Sequence, residues 1–219
     1  MNDVLRPLVR RGLAVILVGS MLFLLMLTPV GELLDATLTL HMVVQHFLFI
    51  AAGFLLAYGL DSMLLAWSRL SRKVFRAYAS LQKLGSDVNK HGLLTFAGAA
   101  LLIGYWNLPS SFTAAIVSEN VHTEMHLSLF LAGALIFLGS KLLTKRMKQI
   151  APIVAGKVMG LYGTFLLLTP INVYQSYPAY QQAEAGVLLL LTMLAMDFTI
   201  VPIWLYNYFG KNQTQSVFP

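Results

Sequence analysis

The sequence predicts an all-α fold, a polytopic membrane helix bundle of six transmembrane helices with both termini on the cytoplasmic side. Three observations predict it. Hydrophobic residues make up 58% of the chain and charged residues 11%, less than half of the roughly 25% charge of an ordinary soluble domain. Mean hydropathy is +0.72, and the apolar runs each approach the ~20 residues that cross a bilayer as a helix. The Lys and Arg residues, fifteen in all, fall in alternate connections or in the ends of the spans beside them, as expected when basic loops are retained on the cytoplasmic side. The period-two alternation of barrel strands is not seen.

The 219 residues are read as a single membrane domain, 1–219. Span one, about 12–30, follows a basic start with Arg6, Arg10 and Arg11. Its apolar run is long for a signal peptide and no A-x-A-like site follows, so it is read as a retained anchor. A short acidic connection carries Glu32 and Asp35. Span two, about 38–67, leads into the connector 68–90, with Arg69, Arg72, Lys73, Arg76, Lys83 and Lys90. There Leu70, Val74, Phe75, Tyr78 and Leu81 recur at helical spacing, which predicts an amphipathic helix, on the membrane surface or as a solvated connector.

Span three, about 91–108, is followed by a connection without a basic residue. Span four, about 121–143, exits into Lys141, Lys145, Arg146 and Lys148, with Lys157 beyond Pro152. Span five, about 153–171, leads to the uncharged loop NVYQSYPAYQQ, and span six, about 183–209, ends at Lys211 and a polar tail. No internal repeat stands out. Gly156-x3-Gly160 and Ala97-Gly98-Ala99-Ala100 read as small-residue faces for close helix packing.

Zero cysteines remove disulfides, iron–sulfur clusters and cysteine nucleophiles from consideration. The net charge of +6 is accounted for by the topology, so no nucleic acid is expected. Nothing resembles a catalytic triad, a phosphate loop or a dinucleotide fingerprint. What stands out is histidine. His41 and His46 open span two, His122 and His126 open span four, and the charge map puts all four at one outer depth. His91 lies alone at the cytoplasmic start of span three.

Glu119, His122 and His126 are spaced i, i+3, i+7, so on a regular helix they share one face. His41 and His46 are five apart and diverge by roughly 140° at 100° per residue. Met42 shares a face with His46, as His41 does with Gln45, which makes His46 the better inward candidate. Imidazole suits copper, zinc and iron, and thioether suits Cu(I), so Met42 and Met125 beside the histidines tilt the reading toward copper. A haem b held by His46 and His126 is the alternative. Glu119-x-x-His122 fits half of a di-iron carboxylate motif, but that motif is needed on two helices. The plain structural reading is that the histidines hydrogen-bond Glu32, Asp35, Glu119 or each other. On span six, Glu184 enters at the outer surface. Asp197 lies thirteen residues deeper, about 20 Å along the axis, and is read as pairing with a buried donor in preference to serving a proton path.

Two stretches, HMVVQHFLFIAAGFLLAYG and YWNLPSSFTAAIVSENVHTEMHLSLFLAGALIF, resemble conserved parts of the CtaG-like assembly proteins of caa-type cytochrome oxidases. YPAYQQAEAGVLLLL is similar to their last span. The resemblance covers most of 38–195 and places the family's histidines on His41, His46, His122 and His126. The histidine of the family's Trp-His-x-Pro motif falls on Asn107, the glutamate before its last histidine on Met125, and its Asp-Gln pair on Gln181-Gln182. The family usually has one more span. The resemblance implies a role in maturing the copper centres of a terminal oxidase from the outer side of the cell membrane.

The expected function is therefore a non-enzymatic, copper-binding membrane protein that assists assembly of a respiratory copper enzyme. Its expected metal residues are His41, His46, His122, His126, Glu119, Met42 and Met125, and its partners membrane lipid and subunits of that complex. The alternative is an accessory subunit of such a complex, with the histidines binding haem b or no cofactor. A small transporter is disfavoured, since no pair of broken helices is seen.

Overall fold

The computed structural model describes residues 5–214 except residue 70. Leu70, expected on the connector's apolar face, and the tail beyond 214 lie outside the described residues. Regular structure among the described residues is helical: α1 (Leu5–Met26), α2 (Pro29–Asp35), α3 (His46–Ser68), α4 (Arg72–Val88), α5 (Leu93–Trp106), α6 (Pro109–Val117), α7 (Glu119–Leu142), α8 (Lys145–Leu168) and α9 (Ala179–Thr214). Five helical segments are long and apolar enough to cross a membrane, or six if one bent pair counts as a span. The helices form two compact units, 1–143 and 144–219.

In the first unit α1 packs along α3, α3 against α7, and α5 against α7. The α3–α7 pair is the axis of the unit. A Cβ placed on Gly53 would lie 1.9 Å from the Phe130 carbonyl oxygen, and one on Gly133 would lie 1.9 Å from that of Ile50. The backbones therefore touch directly, as small residues allow between membrane helices. Residues of α3 face residues 80 positions later in α7, so the two helices run parallel. The match extends to sequence: His46 with His126, Ala52 with Ala132, Gly53 with Gly133 and Gly59 with Gly139 are identical pairs. A short repeat is thus present where none was expected. Only a few identities carry it, and a one-residue length difference just before it hides it.

At the far end of the same register Asp61 of α3 forms an ion pair with Lys141 of α7, and the Tyr78 hydroxyl of α4 donates to Asp61 at 3.1 Å. This contact ties the amphipathic helix to the pair. Asp61 and Lys141 are 21% and 24% exposed, so each depends on the other only in part. Asp61→Leu or Lys141→Met alone is expected to cost about 1–3 kcal/mol, below the 3–5 of a fully buried pair, because the remaining charge loses its partner. The double variant should recover to within about 1 kcal/mol of wild type, since no charge is then stranded. Denaturant unfolding in detergent checks this, and additive losses would exclude it.

Span three, expected at about 91–108, forms as the helix α5. Asn89 organises the turn before it, accepting from the Leu94 amide at 2.9 Å and donating to Thr95 Oγ1 at 3.1 Å. His91 (φ 57°) and Gly92 (φ 73°) both take left-handed conformations there. His91 is thus an exposed turn residue at the end of the unit away from the other histidines. The helix that follows has 14 residues, about 21 Å at 1.5 Å each, short of a ~30 Å hydrocarbon core. It ends where Leu108-Pro109 denies it a continuing amide. The chain then resumes as α6, bent by 66°, where the sequence had suggested only a connection.

The second unit is the α8–α9 pair. Asp197 pairs with Lys157, the structural partnership expected of it. Gly160 is covered by Met193 and Gly156 by Met196, so the Gly-x3-Gly face does pack a helix. Between the helices the buried Gln182 side chain donates to the Leu166 and Ile171 carbonyls at 3.2 and 3.1 Å and accepts from the Val173 amide at 2.6 Å. The Tyr162 and Tyr174 hydroxyls share a hydrogen bond. Burial, together with Tyr162, holds the Tyr174 phenol above its ordinary value.

Candidate metal centre

The site is built where α2, the start of α3, α6 and the start of α7 meet. The short helix α2 is placed by its ends. Thr28 caps it by accepting from the Val30 amide at 3.3 Å, and Pro29 occupies its first turn, where a missing amide hydrogen costs nothing. Gly31 lies so close to the end of α1 that a Cβ would sit 2.1 Å from the Met26 carbonyl oxygen. The buried Gln45 amide then donates to the Gly31 carbonyl at 3.3 Å, tying α2 to the segment that carries the first two histidines.

That segment, Leu40–Gln45, is a π-helical turn. The His46 amide donates to the His41 carbonyl five residues back, in place of the four-residue bond of an α-helix. The roughly 140° divergence expected for His41 and His46 is therefore not what forms. One extra residue in the turn returns His41 to the side of His46, with ring centroids 5.6 Å apart. The same extra residue reconciles His41-x4-His46 with His122-x3-His126, so His41 becomes the counterpart of His122 in the α3–α7 repeat.

The four imidazoles form one cluster. The His122 and His126 rings are 4.2 Å apart and those of His41 and His122 5.3 Å. One ring nitrogen each from His41, His122 and His126 lies within 4.8 Å of the others. His41 is fully buried, His46 4% exposed and His126 7%, while His122 keeps 24% of its side chain open. His46 adjoins the group of three without being one of it; it points inward as expected, and the buried His41 does so as well.

Apolar groups seal the inner wall. Phe112 of α6 lies 4.8 Å from the His41 ring and 5.9 Å from the His46 ring, and Phe49 stacks on His126 at 4.1 Å. Phe49 also belongs to the buried cluster of Met26, Trp106, Ala115, Met125 and Leu129, so Met125 packs in the core. Met42 is buried as well. Glu119 stands exposed in the first turn of α7, outside the converging group.

The carboxylate that reaches the histidines is Asp35. Its Oδ1 lies 3.5 Å from His41 Nδ1 and 3.6 Å from His122 Nε2. Burial alone would raise the Asp35 pKa, but the His122 side chain, the nearby His41 and the Gln45 amide outweigh it and hold the carboxyl below its ordinary value. Phe112 was not singled out in the sequence, whereas Asp35 was named there, with Glu32 and Glu119, among the carboxylates that could pair with the histidines. The available signal for Asp35 was an acidic residue six positions before His41, on the same side of the membrane.

Both ring nitrogens of His46 and Nε2 of His126 are buried without a hydrogen-bond partner among the described residues. Leaving such atoms unpaired costs about 1–3 kcal/mol each; a neutral imidazole offers one lone-pair nitrogen, and an ion bound there would offset that part of the cost. The donor set fits a first-row transition metal by number, type and proximity.

The sequence pattern of the cytochrome c oxidase caa3 assembly factors (Caa3_CtaG) matches residues 8–208. No curated protein and no solved structure matches the chain.

Proposed function

The chain belongs to the cytochrome c oxidase caa3 assembly factor family, and from that premise we propose that it carries a copper ion on His41, His122 and His126 while assisting oxidase assembly. The observation that carries the reading is the convergence of one ring nitrogen from each of those three histidines within 4.8 Å of the others in a largely buried cluster. Copper is cargo here, taken up and passed to a client subunit, and the chain itself is not an enzyme. His46 is a fourth imidazole, close enough to take the ion as a ligand is released.

The side of the membrane follows from charge. The histidine end carries the acidic connection with Glu32 and Asp35, and the opposite ends of α3 and α7 carry the Lys and Arg residues. By the retention of basic loops, both termini are cytoplasmic and the histidines face outward across the cell membrane. Lipid and the subunits of a respiratory copper enzyme are the partners.

The alternative, a resident subunit holding haem b, is less well supported. Three imidazoles converge, one more than the two axial ligands a haem takes, and three nitrogen donors suit a single ion. Protein purified in detergent is expected to bind about one copper per chain by metal analysis, and His126→Ala to lose it. A Soret band in the purified protein, or unchanged copper in His126→Ala, would sink the reading.

A further inference from the structure

We propose that Asp35 is the positioning carboxylate of the site, fixing His41 through Nδ1 and His122 through Nε2, and that its charge makes the site prefer a divalent ion to Cu(I). This rests on the metal reading above. The carboxylate oxygen stands between the two rings at 3.5 and 3.6 Å, slightly beyond the 2.7–3.2 Å of a relaxed hydrogen bond. A small rotation of either ring closes the contact. An imidazole held at one nitrogen presents the other to a metal, and a carboxylate is the usual holder. His41 then ligates through Nε2 and His122 through Nδ1, so one oxygen fixes the tautomer of two ligands on different helices.

The surroundings indicate that this oxygen is placed and not incidental. Asp35 is the last residue of α2, a helix of seven residues fixed by the Thr28 cap, the Gly31–Met26 approach and the Gln45 amide. All three features fix the first turn of this helix, and Asp35 stands one turn further on. Asp35 is also 28% exposed, so an arriving ion meets a negative charge at the mouth of the cluster.

Charge sets the preference. Three neutral imidazoles satisfy Cu(I) and Cu(II) alike, whereas a carboxylate in the adjoining shell offsets one unit of ionic charge. The benefit is larger for a dication, and oxygen-bearing surroundings suit the harder ion. Competition titrations of the full-length protein in detergent, with Cu(I) under reducing conditions and with Zn(II), read this directly. Asp35→Asn keeps the shape and one acceptor but removes the charge. It is expected to lower Zn(II) affinity about 10- to 100-fold, the usual cost of losing such a partner, and Cu(I) affinity less than about threefold. Asp35→Glu, which keeps the charge, should recover at least part of the Zn(II) affinity.

Nitrogen-15 shifts of the metal-loaded histidines supply a second readout, which a merely structural residue would not move. In wild type His41 should be bound through Nε2 and His122 through Nδ1, and in Asp35→Asn each through a mixture of the two. Equal losses for both ions, or no loss for either, would overturn the proposal. His126→Ala, expected to weaken both ions together, reports on the metal reading alone. Wild-type protein that binds neither ion would overturn both.

Discussion

Gly53→Val is expected to lose the folded first unit, at a cost of at least about 3 kcal/mol, the upper part of the range for forcing atoms into a packed core. The obstacle is backbone. The new Cβ would meet the Phe130 carbonyl oxygen at 1.9 Å, and no side-chain rotation relieves that. The helices must separate, and Gly133 loses its approach to Ile50 in the same movement. The histidine cluster should go with them, because Gly53 and Gly133 each lie seven residues after His46 and His126, about 10 Å along parallel axes. The glycine pair thus sets the separation of the two helices that carry the ligands. Gly104→Ala is the control, since nothing lies within 4 Å of its position and it should be neutral or slightly stabilising. Thermal unfolding in detergent and the elution profile on gel filtration check both. A well-folded, copper-binding Gly53→Val protein would refute the account of the α3–α7 contact.

Much of this arrangement was legible in the sequence because it depends on residue type and spacing. Apolar length marked the helices, basic residues marked one end of α3 and α7, and His41, His46, His122 and His126 marked the other. The pairing of Asp197 was legible for the same reason, since a charge that deep needs a partner. What was not legible depends on backbone slippage. Whether Leu40–Gln45 bonds at four or five residues is decided by tertiary contacts, here the Gln45–Gly31 bond and the packing of Phe112, and not by any motif in LHMVVQ. The face of His41 follows from that choice, and with it which of the three named carboxylates, Glu32, Asp35 or Glu119, the histidines meet. The break at Leu108-Pro109 was visible as a proline. That the chain continues beyond it as a helix, bringing Phe112 onto the histidines, is a matter of packing.

The π-turn yields the sharpest test of how the site is made. A π-turn within a helix is a single-residue insertion that the backbone absorbs locally. If its role here is to restore His41 to the register that His122 holds in α7, removing the extra residue should leave the site intact. Deleting Val44 converts His41-x4-His46 into a four-residue spacing like that of His122 and His126, and a regular α-helix then presents both rings on one side. Copper affinity of the deletion variant is expected to stay within about tenfold of wild type, because the chain before His41 keeps its orientation. His41→Ala, which leaves the turn alone and removes a converging ligand, is expected to lower affinity at least about 100-fold, beyond the 10- to 100-fold typical of an outer-shell loss. Competition titration against a copper chelator measures both variants, and far-ultraviolet circular dichroism verifies the helix content. A deletion as damaging as the alanine substitution would mean that the π-turn serves a geometry the repeat does not explain. A harmless His41→Ala would remove His41 from the site and return the ligand set to His46, His122 and His126.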